Sequence, residues 1–376
     1  MTRAGLASAG NVVPLQGAVI LELDPEERTA LELTLTHLRP LLAGDNVTEI
    51  CINEPGRVFI EDHKGWHVEQ CPFVSLAWCE ALSRLVGNAT KQRVNAQEPL
   101  LSGELPTGER FQIVLPPATT KETVSVTLRV PSRQVWTLDE IAERGMLAEC
   151  RWSHDHSYDD PSHPQYRELQ TDEQEMIALL QESRFVDFLR LAVQAERNIV
   201  LSGETGSGKT TVGKALMLEI PSYERLVTIE DARELVVVNQ PNHVRLYFSK
   251  GGQGQASVTP EQLLEAALRM RPDRLVVSEI RGEEGFAFMN MLLSGHNGAL
   301  TSVHAVTPRA AFKRLAKCVM KSAQAGGMSQ TMIEDELFTL IDVVCQFDKK
   351  KYEDGRAARL ITEIWYDPIR KRGRTA

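Results

Sequence analysis

The spacing of hydrophobic positions changes twice along the chain. From Leu23, "LDPEERTALELTLTHLRPLL" places apolar residues at helical intervals and predicts one helix that stops near Pro40. From Val47 the period shortens to two. "VTEICIN", "RVFIED" and "GWHVE" alternate apolar and polar positions, with the turn sequences "NEPG" and "HKG" between them, so a three-stranded meander is expected. A helix follows over "FVSLAWCEALSRLVGNAT" from Phe73, then strands over "ERFQIVLP" and "TVSVTLRVP". These elements make a small N-terminal α+β domain, residues 21–145, preceded by residues 1–20, which carry little pattern and are expected to be disordered.

Residues 146–172 include "CRWSHDHSYDDPSHPQYRELQ", which shows neither period and reads as a linker. Its His154, His156 and His163 stand among Asp155, Asp159 and Asp160. No helical or hairpin frame orients them as ligands, so a solvated connector is expected rather than a metal site.

From residue 173 to 376 short apolar runs alternate with helical ones. "NIVLS", "RLVTIE", "HVRLYF", "RLVVSE" and "ALTSVHA" read as strands, and "GKTTVGKALMLEI", "TPEQLLEAALRM", "EEGFAFMNMLLSGH" and "TPRAAFKRLAKCVM" as helices. Thr259, Pro260 and Gln262 form a capping box with proline in the first turn, and Thr307–Pro308 open the last of these helices. Such alternation predicts an α/β fold with a mostly parallel sheet covered on both faces. "DVVCQFDKKKYEDGRAARLITEIWYD" reads as an antiparallel hairpin turning near Asp354 and Gly355.

Composition narrows the class. With 42% hydrophobic and 25% charged residues, the chain is that of a soluble globular protein. No segment resembles a signal peptide, and no apolar run approaches the roughly 18 to 20 residues that span a bilayer. A cytoplasmic location is therefore expected. The net charge of -9 argues against direct nucleic-acid binding, which needs clustered cations. The six cysteines include no C-x-x-C pair and read as reduced thiols.

The chemistry is concentrated in "GETGSGKT", Gly203 to Thr210, which satisfies G-x-x-x-x-G-K-[ST] between a strand and a helix. Gly203, Gly206 and Gly208 let the backbone curl around Glu204, Thr205 and Ser207, so that N–H groups point at a phosphate chain. Lys209 reaches the β- and γ-phosphates, the Thr210 hydroxyl ligates Mg²⁺, and Thr211 completes the cradle, so ATP and Mg²⁺ are the expected ligands. Hydrolysis also needs an acid at a neighbouring strand end. Glu279, closing "RLVVSE", is the candidate for organising water and metal, and Glu230–Asp231 close "LVTIED". His304 ends a third strand, where it would sense phosphate or water; His296, at a helix end, is the weaker histidine.

In chain order, "GETGSGKT", "TIEDARELV", "LRMRPDRLVVSEIRG" and "SGHNGALTSVHA" resemble the Walker A, Asp box, Walker B and His box of the secretion ATPase superfamily. Its members drive type II and type IV secretion and type IV pili. "VTEICINEPGRVFIEDHKGW", "LSGELPTGERFQIVLPPATT" and "RLITEIWYDP" look like the type IV secretion traffic ATPases, also called P-type DNA-transfer ATPases. The similarity spans roughly residues 45–135 and 175–370.

This resemblance implies a RecA-like P-loop ATPase domain joined to a smaller N-terminal domain and assembled as a homo-hexamer. It implies nucleotide held between the domains, with N-terminal arginines on its terminal phosphate; "GER" and "TLR" carry these over to Arg110 and Arg129. It further implies a motor peripheral to the cytoplasmic face of the inner membrane. There it would work with other type IV secretion ATPases and channel components, powering assembly or transport. A type II secretion or type IV pilus motor, and a DNA-translocating or recombinase-type ATPase, are the alternatives. Arg245 and Arg271 are candidates for contacts between subunits. The chain departs from the family in having Ser278 where glycine is usual before the Walker B acid. Its linker is also longer than a minimal hinge, which would let the N-terminal domain pack on a neighbour.

Overall fold

The computed structural model describes residues 29–372 apart from 45–46, 63, 106, 132–133, 161, 249–257 and 352–356. The expected disordered residues 1–20 and the turn at Asp354 and Gly355 lie outside the described residues. Two short helices, α1 (Ala30–Leu35) and α2 (Arg39–Leu42), stand where one was expected. Pro40 opens the second helix instead of ending the first, because a first-turn position needs no N–H donor.

The expected meander is present as β1 (Glu49–Glu54), β2 (Arg57–Asp62) and β3 (Gly65–Gln70). After α3 (Leu76–Thr90) come β4 (Leu100–Glu104), β5 (Arg110–Val114) and β6 (Ser125–Arg129). The antiparallel sheet has the order β3-β2-β1-β6-β5-β4. Strand β4 was not anticipated: its sequence "LLSGE" contains a glycine and does not alternate, and its pairing with β5 recruits it. Ile50, Ile52, Val58, Ile113, Val126 and Leu128 are buried on one face, under Leu82 and Val86 of α3. Pairing of β5 with β6 sets Arg110 opposite Arg129.

The second unit begins with α4 (Leu138–Glu143), β7 (Arg151–Ser153), α5 (Pro164–Arg167), α6 (Thr171–Gln181) and α7 (Phe185–Gln194). Then follow β8 (Ile199–Gly203), α8 (Lys209–Leu218), β9 (Leu226–Glu230), β10 (His243–Tyr247) and α9 (Pro260–Arg269). Next are β11 (Arg274–Val277), α10 (Glu284–Leu293), β12 (Leu300–Val303), α11 (Pro308–Val319) and α12 (Gln330–Leu340). The chain closes with β13 (Val343–Lys351), β14 (Ala357–Tyr366) and α13 (Pro368–Arg372).

The sheet order is β10-β9-β11-β12-β8-β13-β14-β7. Strands β10 to β13 in that order run parallel, and the expected hairpin supplies the antiparallel β13–β14 pair. Every residue of β8, β9, β11 and β12 is buried, which is why these strands read as apolar runs without alternation. One face packs around Phe188, Leu216 and Val276; the other packs around Phe288, Phe312 and Trp365.

Two boundaries differ from expectation. Helix α4, inside the stretch 21–145 assigned to the first domain, buries Leu138 and Ile141 in the core of the second. The stretch 146–172, expected as a solvated linker, also belongs there: β7 pairs with β14, and Met146, Tyr158 and Leu169 are buried. Its polar residues are held by the buried Asp367, whose carboxylate accepts from Asp155 N (2.7 Å), His156 N (3.1 Å) and Tyr158 Oη (2.6 Å). The partner lies near the other end of the chain, beyond the reach of local pattern. His156 points Nδ1 at the same carboxylate, and the described residues contain no group of three or more His, Cys, Asp or Glu placed to hold a metal between them.

Candidate active site

Strand β8 delivers the chain to Gly203, where an added Cβ would lie 2.7 Å from the Phe347 carbonyl oxygen. Only glycine lets the loop leave this close to β13. Gly206 turns through φ 75° under open space, and Gly208 caps α8 at φ 101°. Ser207 Oγ donates to Glu204 O at 2.8 Å and holds the turn. The N-terminus of α8, with its unpaired N–H groups and positive dipole end, thus faces a cleft that is lined by Thr205 through Thr211. Lys209 Nζ donates to Gly203 O at 2.6 Å and Glu204 O at 2.8 Å. Burial pulls this ammonium down to about 8, with Glu279 opposing the shift.

Glu279 and His304 emerge just beyond β11 and β12 and meet, Oε1 to Nε2, at 3.2 Å. His304 Nδ1 lies 3.0 Å from the Gly203 carbonyl, which can only accept, so Nδ1 carries hydrogen. A neutral ring then offers Nε2 as a lone pair, and the contact with Glu279 needs one proton between the two. Burial first, then the charge of Asp231, pushes Glu279 up to about 7 against the pull of Lys209. Burial, Lys209 and Arg281 together hold His304 below its ordinary value. Arg281 forks onto both Glu279 oxygens and reaches Asp231 Oδ2 at 3.3 Å.

The first domain closes the cleft. Arg110 Nη1 donates to Glu234 Oε1 at 2.8 Å and Nη2 lies 3.5 Å from Asp231 Oδ2. Arg129 lines the same space. Thr210 Oγ1 stands 3.4 Å from Glu234 Oε2, so hydroxyl, carboxylates and guanidinium groups of two domains converge.

Of the expected residues, Lys209, Thr210, Glu279, His304, Arg110 and Arg129 line this one cleft. Glu230 does not, and its expected catalytic role is corrected. It is fully buried and accepts from Arg245 Nε (3.0 Å) and Nη2 (3.1 Å), Thr228 Oγ1 (2.9 Å) and Leu235 N (2.9 Å). It anchors the turn that presents Asp231 and Glu234, and it holds Arg245. His296 is not among the residues lining the cleft. Sequence reasoning missed Glu234 and Arg281, although both lie inside motifs quoted above, "TIEDARELV" and "SEIRG". It also missed Lys349 and Arg359, which reach the cleft from the hairpin.

The donor set fits a magnesium nucleotide. Mg²⁺ is held by one or two protein oxygens together with phosphates, and Thr210 with Glu279 or Glu234 supplies hard oxygens of that kind. The loop supplies a cradle and a lysine for the phosphates.

The chain belongs to the Type II/IV secretion system protein family, whose profile matches residues 167–368, and it is an ATPase of that family. It is 39% identical over 343 residues to the Type IV secretion system protein VirB11 of Bartonella quintana, covering 90% of this chain and 94% of that one. The crystal structure of the VirB11 ATPase from the Brucella suis type IV secretion system, in complex with sulphate, shares 38% identity. The match has a TM-score of 0.51 and covers 92% of this chain and all of that one (100%). The Legionella pneumophila ATPase DotB shares the fold at 17% identity, with a TM-score of 0.54 over 89% of this chain and 81% of that one.

Proposed function

We propose that the chain hydrolyses ATP with Mg²⁺ in this cleft and uses the cycle to power a type IV secretion apparatus. The observation that supports it most is that one cleft joins the phosphate loop, the Glu279–His304 pair and two arginines of the other domain. Lys209 exchanges loop carbonyls for β- and γ-phosphate oxygens. Bound at Thr210, Mg²⁺ would neutralise charge on the phosphates. Glu279, once deprotonated and released by Arg281, orients the attacking water and accepts its proton, which His304 is placed to share. Arg110 and Arg129 supply planar cations for the charge on the transferring phosphoryl group.

When that phosphate leaves, Arg110 returns to Glu234 and Asp231, so chemistry is read out as a change between domains. The names of the relatives support the type IV system as the machine served. A homo-hexamer at the cytoplasmic face of the inner membrane, beside other secretion ATPases and channel components, completes the proposal. No helix among the described residues is long and apolar enough to cross a membrane, so such a location would be peripheral. Lys209→Ala is expected to abolish Mg²⁺-ATP turnover; turnover equal to the wild type would overturn the assignment.

A further inference from the structure

Lys349 and Arg359 sit directly opposite each other across the β13–β14 hairpin. Directly opposed residues share a face, here that of Phe347 and Ile361, which are buried, with Phe347 against Gly203 of the phosphate loop, while Lys349 is half-buried and Arg359 exposed at its end. Both line the nucleotide cleft, and Arg359 packs along the loop, its Cβ only 3.7 Å from the place a Cβ on Gly208 would take. Neither side chain has a carboxylate partner among the described residues, whereas the adjacent Lys350 pairs with Glu149 at 2.8 Å. Like charges directly opposite in an antiparallel pair destabilise it, so an anion between them would relieve the repulsion.

The sheet order tells which part of the nucleotide they face. Strand β8 has β12 and β11 on one side and β13 and β14 on the other. Glu279 and His304 therefore stand on one flank of the loop, with the hairpin cations on the opposite flank. A phosphate chain whose terminal group lies at Glu279 brings its other end toward Lys349 and Arg359.

We propose that Lys349 and Arg359 form a cationic clamp on the phosphate nearest the nucleoside, so that the C-terminal hairpin sets the affinity common to ADP and ATP. This rests on the reading of the cleft as a nucleotide site. The test is calorimetric titration of the full chain with Mg²⁺-ADP and with a non-hydrolysable ATP analogue, together with melting in the absence of nucleotide. Lys349→Gln and Arg359→Gln should each weaken both ligands roughly tenfold and equally, as expected for loss of a charge-assisted contact. Lys349→Arg should bind as the wild type does. The two glutamine variants should also melt higher than the wild type without nucleotide, a change opposite in sign to that from losing a structural contact. Unchanged ADP affinity in the glutamine variants would overturn the clamp, as would weaker binding accompanied by a lower melting temperature. A wild-type chain that fails to bind ADP would instead overturn the underlying site reading.

Discussion

Glu279 carries two demands that oppose each other. As a base it must be ionised, yet its burial beside Asp231 pushes it from 4.5 up to about 7. A carboxyl raised in the folded state binds its proton more tightly there than when unfolded. The associated stability is present at low pH and is lost as pH rises from about 4.5 through about 7, amounting to roughly 3 kcal/mol. Glu279→Gln is neutral throughout, so it should melt higher than the wild type at about pH 8 and about equally at pH 4. Wild-type kcat/KM, which reports the free enzyme, should rise as pH passes about 7 and the carboxylate ionises. Identical melting of the two proteins at both pH values, or a flat kcat/KM profile, would contradict this. At this scale the sequence disclosed what its motifs carry: Lys209, Thr210, Glu279 and His304. It could not separate Glu230 from Asp231, because one step along a strand end decides which carboxylate is buried under Arg245 and which faces the cleft.

Among elements, the strap from Arg151 to Leu169 shows how polar sequence can be structural. Asp367 is 2% exposed and gathers Asp155, His156 and Tyr158, while Trp152 Nε1 donates to Tyr366 O at 2.9 Å. Asp367→Ala would leave the Tyr158 hydroxyl buried without its acceptor and release the strap. The expected loss is roughly 2 to 4 kcal/mol in urea unfolding, with faster proteolysis between His154 and His163. An unchanged unfolding midpoint would contradict that role. Buried parallel strands were legible because both their faces are apolar. Strand β4 and the strap were not, because distant partners define them: β5 for one, Asp367 and β14 for the other.

Over the whole molecule, the apolar clusters stop at the domain boundary. One contains buried residues from Leu31 to Leu128; of the other two, one begins at Leu138 and the other at Val200. Across the boundary the contacts are polar: Arg110 with Glu234 and Asp231, Arg233 Nε with Glu104 at 3.4 Å, and Lys214 Nζ donating to Gln134 O at 2.8 Å. An interface of this kind can be exchanged for contacts to phosphate without exposing a core. The alternating pattern disclosed the α/β unit, but no local signal could place Arg110 beside Glu234, since that contact exists only after both domains fold. Mass photometry with Mg²⁺-ATP should show a species of six chain masses; a monomer at every concentration would contradict the ring. The most direct test of the exchange of Arg110 between phosphate and carboxylates is ATP turnover by Arg110→Ala with ADP affinity measured alongside. The expected result is kcat lowered about a thousandfold, as when an arginine finger is removed, with ADP binding retained. Wild-type turnover in that variant would contradict it.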